Sequence, residues 1–273
     1  MLQLTIDGKR VEAQEGMTVL EVAGSEGIII PTLCYHKALG PYGVCRLCIV
    51  EAESPSLRRT VVASCALKAR EGLVIETATP RIISMRRTLV DLLLSGTVPS
   101  SPLKELARTS GILREGFRPE RTDQCILCGL CVRVCRDSIG AGALRFAAGE
   151  ENRYRVAEGI RLEEERCVGC GTCAAVCPVG AIQVKDCAEE RDIVVYGETA
   201  NRLKLESCSC CGAHYAAQKF VDRVLSRIDE ELRAGIRKLC SECARRYYAE
   251  ALTGFFPVEI KKVQRTSGTE QRP

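Results

Sequence analysis

The chain has 273 residues, and its 39 basic and 35 acidic side chains leave a net charge of +4. This near balance argues against binding to nucleic acid by charge, and no run reaches the roughly 18 apolar residues that a membrane helix needs. The first residues carry no basic, apolar leader, so the expected compartment is the cytoplasm. Disulfides are disfavoured there and clustered thiols more often bind metal, which is the first explanation for 18 cysteines.

The N-terminal residues 1–79 predict a β-rich domain. The stretch Leu2–Ile6 alternates apolar and polar side chains as a strand does, and Asp7–Gly8 is a strong hairpin signal. A short helix is expected to follow, because Thr18 and Glu21 have the spacing of a capping box.

The first cysteine set lies in this domain with the spacing C-x10-C-x2-C-x16-C, and its members are Cys34, Cys45, Cys48 and Cys65. Four thiolates can complete a [2Fe–2S] site, although the plant-type loop has only four residues between its first two ligands. A structural zinc site is the alternative. His36 is close in sequence, but four cysteines already complete the site, so we expect a structural role for it.

The residues around these cysteines carry a family resemblance. The stretches Ile30–His36, Gly43–Cys48 and Ala63–Cys65 resemble the N-terminal ferredoxin domain of the G-subunit family of NADH–quinone oxidoreductase. The same domain occurs in NAD-linked hydrogenase (diaphorase small) subunits and in formate dehydrogenase subunits. The resemblance covers residues 1–95 and implies a β-grasp fold with a [2Fe–2S] cluster on the first cysteine set.

Residues 80–120 predict a helical linker. Thr79 suits an N-cap and Pro80 the first helical position, and apolar residues then recur with a helical period. In the resembling family a His-x3-Cys-x2-Cys-x5-Cys segment follows and binds a further [4Fe–4S] cluster. The matching residues 92–101 contain neither cysteine nor histidine, so we expect this cluster to be absent. Either the flanking domains then pack closer, or a partner subunit supplies an intermediate centre.

Residues 121–185 contain two C-x2-C-x2-C-x3-C runs that start 42 residues apart. Such a repeat is typical of bacterial two-cluster ferredoxins, in which the fourth cysteine of each run binds the other cluster. The first predicted [4Fe–4S] site, cubane A, is therefore made by Cys125, Cys128, Cys131 and Cys177. The second, cubane B, is made by Cys167, Cys170, Cys173 and Cys135. Zinc in these sites, or a three-iron form of one cubane, are the alternatives.

Two further C-x-x-C pairs near the C-terminus form the last cysteine set, with Cys208, Cys211, Cys240 and Cys243 as predicted ligands. A tetrahedral set of four thiolates suits zinc. An amphipathic helix is expected over Phe220–Leu232, so the segment resembles the zinc ribbon of some hydrogenase-associated ferredoxin subunits. A third [4Fe–4S] cluster, a rubredoxin-like single iron, or replacement of one ligand by Cys210 or His214 stay open. Cys187 is expected to be a free buried thiol.

These predictions describe an α+β chain in four parts. They are a β-grasp [2Fe–2S] ferredoxin domain (1–79), a helical linker (80–120), a bacterial-type 2[4Fe–4S] ferredoxin domain (121–185) and a four-cysteine, zinc-ribbon-like domain with an inserted helix (206–250). A charged connector, 186–205, with one possible strand at Ile193–Tyr196, precedes the ribbon.

The sequence contains no catalytic constellation and no phosphate-binding loop, which indicates an electron carrier. The resemblance implies an iron–sulfur subunit of a soluble NAD(P)-linked oxidoreductase of hydrogenase or formate dehydrogenase type. Its expected partners are a flavin-containing NAD(P)H-oxidoreductase subunit and a catalytic metal subunit or ferredoxin-reducing subunit. The expected cofactors are one [2Fe–2S] cluster, two [4Fe–4S] clusters and one zinc, with no nucleic acid and no membrane span.

Two other functions compete with this one. A redox-sensing iron–sulfur and zinc regulatory protein would bind DNA in a salt-sensitive manner. A self-sufficient enzyme would need a cluster that lacks one cysteine ligand, and all three iron–sulfur sets are complete.

Overall fold

The computed structural model of the chain describes residues 1–55, 57–112, 123–148 and 157–253. These residues divide into two units. The first contains Met1–Cys167, Gly171–Gln183 and Val194–Ala200, and the second contains Val168–Cys170, Val184–Ile193 and the described residues from Asn201 onward. Residues 113–120 of the predicted linker lie outside the described part of the chain. Among the described helices, none has the length and apolar character needed to cross a lipid bilayer.

A five-stranded sheet begins the first unit. Its strands are β1 (Leu2–Ile6), β2 (Lys9–Ala13), β3 (Ile49–Ser54), β4 (Leu57–Ala63) and β5 (Val74–Glu76). The order is β2-β1-β5-β3-β4, with β1 and β5 parallel and the other pairs antiparallel. The β1–β2 turn has positive φ at Asp7 (49°) and Gly8 (79°), a geometry in which Asp-Gly is favoured. The predicted hairpin is therefore confirmed.

Helix α1 (Val19–Ser25) packs on this sheet and begins at the predicted capping box. The Thr18 hydroxyl accepts from the Glu21 N–H at 3.2 Å, and the Glu21 carboxylate accepts from the Thr18 N–H at 2.7 Å. The buried side chains of α1 and of the sheet form a first hydrophobic core, which also contains Cys48 and Cys65.

Helices α2 (Pro80–Gly96) and α3 (Ser101–Thr109) follow the sheet. Thr79 caps α2 by accepting from the Ile82 N–H, as predicted, and Ser100 caps α3 in the same way. Their apolar faces form a second hydrophobic core together with two cysteine loops; its buried members are Cys34, Cys45, Leu47, Val90, Leu94, Leu103, Ala107, Cys128 and Leu130. Apolar packing thus occupies the stretch in which the resembling family has its additional cluster.

The two C-x2-C-x2-C-x3-C runs form short helical segments. Helix α4 (Leu130–Arg133) continues as a π-helical turn at Val134–Ser138, and α5 (Thr172–Ala175) is its counterpart in the second run. Between the runs, β6 (Leu144–Ala148) and β7 (Ala157–Leu162) pair antiparallel.

The predicted connector, 186–205, is part of a sheet, and the possible strand predicted at Ile193–Tyr196 overlaps one of its members. Strands β8 (Ile182–Cys187), β9 (Glu190–Val195), β10 (Glu198–Ser207) and β11 (His214–Ala217) have the order β11-β10-β9-β8. Buried apolar residues on β9 and β10 explain the correction, because charged residues between them conceal the strand pattern. The single inserted helix is also wrong: α6 (Gln218–Leu225) and α7 (Glu230–Ala234) are separate, and α8 (Ser241–Thr253) follows.

Candidate metal centres

The first cysteine set is brought together and buried. Cys34, Cys48 and Cys65 are fully buried and Cys45 is 7% exposed. The Cys45 N–H donates to the Cys34 Sγ at 3.4 Å, as expected of amide groups that face metal-bound sulfur. The backbone of Cys48 and Ser64 is joined by a hydrogen bond of 2.9 Å, which holds the distant fourth cysteine against the loop.

Thiol pairing within this set separates the acidities of its members. The hydrogen bond between Cys34 and Cys45 lowers the pKa of Cys45 to about 5 and raises the pKa of Cys34. The hydrogen bond between Cys48 and Cys65 lowers the pKa of Cys48 to about 6 and raises that of Cys65. Metal binds the thiolate, so these hydrogen bonds favour the ligating form of Cys45 and Cys48.

The loop geometry around this set is strained in one place. Arg46, between Cys45 and Cys48, has a φ of 57°, a left-handed conformation that costs a non-glycine residue about 1 kcal/mol. Such strain clusters at functional sites. His36 accepts from the Ala38 N–H at its Nδ1, so it stabilises the turn, in agreement with the predicted structural role.

Arg86 on α2 contacts this loop, and sequence reasoning missed it. Its Nε donates to the Leu47 carbonyl at 3.0 Å and its Nη2 to the Ile49 carbonyl at 2.6 Å. These two carbonyls flank Cys48, and burial lowers the pKa of the arginine. The sequence does contain a signal for this position. Arg86 stands four residues after Ile82 and four before Val90, which are both fully buried. It therefore lies on the inward face of the helix.

The predicted ligands of cubane A line one small cavity. Its walls include the four sulfur-bearing residues together with Ile126, Gly129, Ile160, Val179, Ala181, Ile182 and Tyr196. Cys177 from the second run thus lies beside Cys125, Cys128 and Cys131 of the first, as crossed ligation requires. Burial raises the pKa of Cys128 to about 12 and raises that of Cys131, so these thiols need a cation to ionise.

The four residues predicted for cubane B differ in how deeply they are buried. Cys135 and Cys167 are buried, whereas Cys170 and Cys173 are partly exposed. Cys135 Sγ accepts from the Ala143 N–H at 3.2 Å. Arg191 on β9, which sequence reasoning also missed, donates to the Gly169 carbonyl at 3.0 Å in the second cysteine run.

The repeat is visible in the backbone. Leu127 and Gly169, which have equivalent positions in the two runs, have φ values of 52° and 71°. Gly129 and Gly171, also equivalent, have φ values of 74° and 76°. The same left-handed turns therefore follow the same cysteines in both runs, and the glycines relieve the strain.

The last cysteine set converges on a point. The Sγ atoms of Cys208, Cys211, Cys240 and Cys243 all lie within 4.8 Å of one another, and the Cys211–Cys240 sulfur distance is 3.8 Å. Burial raises the pKa of Cys208, but backbone N–H donors in the site together lower it to about 6. Neither Cys210 nor His214 belongs to this group of described residues.

Cys187 corrects another prediction. It ends β8 and is exposed, not buried, because the last residues of that strand point into solvent before the following turn. It is therefore accessible to reagents and has no role in the four cysteine sets.

Comparison with known proteins places this geometry in a family. Residues 1–80 match the "2Fe-2S iron-sulfur cluster binding domain" family and residues 124–181 match the "4Fe-4S dicluster domain" family. The crystal structure of an NAD+-reducing [NiFe]-hydrogenase in its H2-reduced state superposes with a TM-score of 0.55 and 30% identity, over 66% of this chain and 85% of that one. The chain belongs to the iron–sulfur subunit family of NAD-linked hydrogenases and NADH-quinone oxidoreductases.

Two curated relatives show the breadth of this iron–sulfur subunit family. The G 2 subunit of NADH-quinone oxidoreductase from Rhizobium meliloti (strain 1021) is 35% identical over 208 residues, which are 67% of this chain and 24% of the relative. The gamma subunit of the NAD-reducing hydrogenase HoxS from Cupriavidus necator is 29% identical over 67% of this chain and 87% of the relative. The chain thus spans a quarter of the first protein and most of the second. The first domain match ends at residue 80 and the second at residue 181, so the last cysteine set lies outside both.

Proposed function

We propose that this chain is the electron-relay subunit of a multisubunit NAD(P)-linked oxidoreductase of hydrogenase or formate dehydrogenase type. One observation carries the proposal: Cys34 and Cys45 of the first set share a hydrophobic core with Cys128 of cubane A. Tunnelling falls off steeply with distance, so redox centres must lie close together to form a path. Of the two alternatives left by the absent cluster, this packing favours the closer approach of the flanking sites.

The chain's own residues fit the proposed cofactors. The first cysteine set would hold one [2Fe–2S] cluster, and the sets named cubane A and cubane B would hold one [4Fe–4S] cluster each; bound there, the clusters accept and release single electrons. The buried thiols, the amide N–H groups that face sulfur and the apolar walls support this assignment. Arg86 brings positive charge to the loop of the first cysteine set, where an added electron has to be accommodated. Arg191 holds the second cysteine run through the Gly169 carbonyl, and its charge is paired with Asp186.

The last cysteine set is proposed to hold one zinc. Four sulfurs at about 2.3 Å from one ion lie about 3.8 Å apart at the edges of a tetrahedron, and the Cys211–Cys240 distance is 3.8 Å. A cubane binds its cysteines through four different irons, so its sulfurs must lie further apart. The observed convergence therefore supports a single tetrahedral ion, and a zinc centre would stabilise the C-terminal segment without taking part in electron transfer.

The domain boundaries, partners and compartment complete the proposal. The functional parts are residues 1–79, 80–120, 121–185 and 206–250. The partners would be a flavin-containing NAD(P)H-oxidoreductase subunit and a catalytic metal subunit or a ferredoxin-reducing subunit, in the cytoplasm. Support comes from the relatives, whose names describe subunits of NAD-reducing hydrogenase and NADH-quinone oxidoreductase.

The test is reduction of the clusters by nicotinamide in the complex purified under anaerobic conditions. Addition of NADH or NADPH should produce the EPR signals of reduced [2Fe–2S] and [4Fe–4S] centres within the turnover time. A complex with Cys128→Ser should lose the cubane A signal and slow turnover, whereas Cys187→Ser, at an exposed thiol outside the sets, should match the wild type.

Clusters that stay oxidised during turnover would contradict the relay. Salt-sensitive DNA binding by the purified chain, with no reduction by nicotinamide, would instead support the redox-sensing alternative.

A further inference from the structure

The ten residues between Cys34 and Cys45 make a loop longer than the four-residue plant-type spacing. Residues 36–43 of this segment, here called the docking loop, fold back on themselves. A β-bridge joins His36 and Gly40, and the N–H groups of Leu39 and Gly40 both donate to the His36 carbonyl, at 2.9 and 3.1 Å. The loop is thus an organised turn, and its Leu39 side chain packs against the second hydrophobic core.

Arg133, in the first cubane run, contacts this turn. It stands between Cys131 and Cys135, and its Nη2 donates to the carbonyl of Leu39 and lies 3.4 Å from that of Gly40. Its Cζ lies 4.9 Å from the centre of the Tyr42 ring. A planar guanidinium can serve two carbonyls and an aromatic face at once, which a lysine cannot do.

Gly129, also in the first cubane run, leaves room for the Tyr42 ring. A Cβ placed on Gly129 would lie 2.9 Å from the Tyr42 Cε1 and 3.1 Å from the Phe146 Cζ. Gly129 lies between Cys128 and Cys131, so the tyrosine ring rests directly on the backbone of the first cubane run. The docking loop and the first cubane run therefore contact each other through the Arg133 guanidinium, the Tyr42 ring and the backbone of Gly129, which has no side chain in the way.

We propose that Arg133 and Tyr42 are positioning residues that fix the separation and orientation of the [2Fe–2S] site and cubane A. The proposal rests on the proposed function, because it assumes that both sites carry their clusters. Neither residue is a ligand. In the step they support, one electron leaves the reduced centre and reduces the other, and no bond is made or broken. The Leu39 and Gly40 carbonyls that Arg133 contacts both lie within the ten-residue segment between Cys34 and Cys45.

The test compares Arg133→Leu with Arg136→Leu in the purified full chain, reduced with dithionite. Arg136 carries the same charge three residues further on, but it is exposed and pairs with Asp137. The first readout is iron and sulfide content. The second is the magnetic interaction between the reduced [2Fe–2S] centre and cubane A by EPR. The third, on a separate oxidised sample, is electron exchange between the two centres after flash reduction of one of them.

We expect Arg133→Leu to keep the iron content, to weaken the magnetic interaction and to slow exchange by about tenfold, because small changes of position have large effects on rate. Arg136→Leu and Tyr42→Phe, which keeps the ring, should match the wild type. Tyr42→Ala should behave like Arg133→Leu and serves as the second variant if that one loses iron.

An unchanged interaction and an unchanged exchange rate in Arg133→Leu, or in Tyr42→Ala, would overturn the positioning role. Loss of iron in both variants would also overturn it, because the contact would then be needed for assembly of the sites. A wild-type chain without the two kinds of cluster would refute the proposed function, a separate result visible in the metal analysis.

Discussion

The first and last cysteine sets are alike in composition and unlike in surroundings. Both have four thiols and a C-x-x-C turn, but the first is sealed within two hydrophobic cores, whereas Cys211 in the last is exposed. The sulfurs of the last set converge within 4.8 Å, which suits one ion. Under the proposed assignment, four thiolates in buried, apolar surroundings hold a redox cluster, whereas four converging sulfurs, of which one is exposed, hold a structural metal.

The largest effect should come from removing one ligand from each set. We expect Cys48→Ser to abolish the [2Fe–2S] EPR signal and to lower the iron content by about two per chain while zinc is unchanged. We expect Cys211→Ser to remove the zinc while all iron stays. Metal analysis with EPR checks both. Loss of iron in Cys211→Ser would break the comparison, because the last set would then be a redox centre.

A second effect separates crowding from backbone strain at two glycines, one in the second C-x2-C-x2-C-x3-C run and one in the last cysteine set. A Cβ on Gly169 would lie 2.7 Å from the Ala217 Cβ, whereas one on Gly212, after Cys211, meets nothing within 4 Å; both have positive φ. We therefore expect Gly169→Ala to destabilise the chain by about 2–3 kcal/mol and Gly212→Ala by about 1 kcal/mol. Urea unfolding of the metal-loaded protein measures both. Equal losses would show that packing around the second cysteine run contributes nothing.

A third effect tests whether a positive charge beside the first cysteine set raises the reduction potential of its cluster. Arg86→Met removes a partly buried positive charge beside the first set, so the [2Fe–2S] midpoint potential should fall by about 50 mV, equivalent to roughly 1 kcal/mol for one electron. Arg87→Met is the matched control, because Arg87 is the next residue and donates instead to the Ser110 carbonyl. EPR-monitored redox titration is the measurement. A potential that stays at the wild-type value in Arg86→Met would rule out a role for its charge.

The smallest effect concerns the capping box that supports the first domain. Hydrogen bonds from the Thr18 N–H and the Tyr35 hydroxyl hold the pKa of Glu21 below its usual range. A depressed carboxyl pKa stabilises the fold above the unfolded-state value of about 4.3 and loses this contribution as pH falls through the folded-state value. Glu21→Gln should therefore cost about 1 kcal/mol at pH 7 and progressively less below pH 4.3.

Urea unfolding at pH 7 and at a pH below 4.3 measures how the stability lost in Glu21→Gln depends on pH. The exposed Glu12→Gln is the control. A cost that does not shrink in acid would show that the charge of Glu21 is irrelevant.

Much of this organisation was accessible from the sequence because ligand spacing and capping are local signals. The cysteine runs, the Thr79–Pro80 helix start and the Asp7–Gly8 turn each depend on residues a few positions apart. Contacts across long separations were not accessible: Arg86 reaches Leu47, and Arg133 reaches Leu39, only once the elements have packed.

Two predictions were wrong because the local sequence pattern concealed where elements begin and end. The apolar period over Phe220–Leu232 hid a break at Asp229, the residue that precedes α7. An Asp followed by Glu230 and Glu231 is a helix-start signal that was overlooked. Charged residues likewise concealed β10 and the first half of β9, of which the predicted strand Ile193–Tyr196 covers only the apolar end, because a strand that is only partly buried can be rich in charge.

The most direct test is the metal and sulfide content of the chain isolated without oxygen, measured together with EPR after dithionite reduction. Twelve cysteines that anchor three clusters predict about ten irons, a matching amount of acid-labile sulfide and one zinc, with both [2Fe–2S] and [4Fe–4S] signals. A colourless chain that contains zinc alone and shows no signal after reduction would contradict the account.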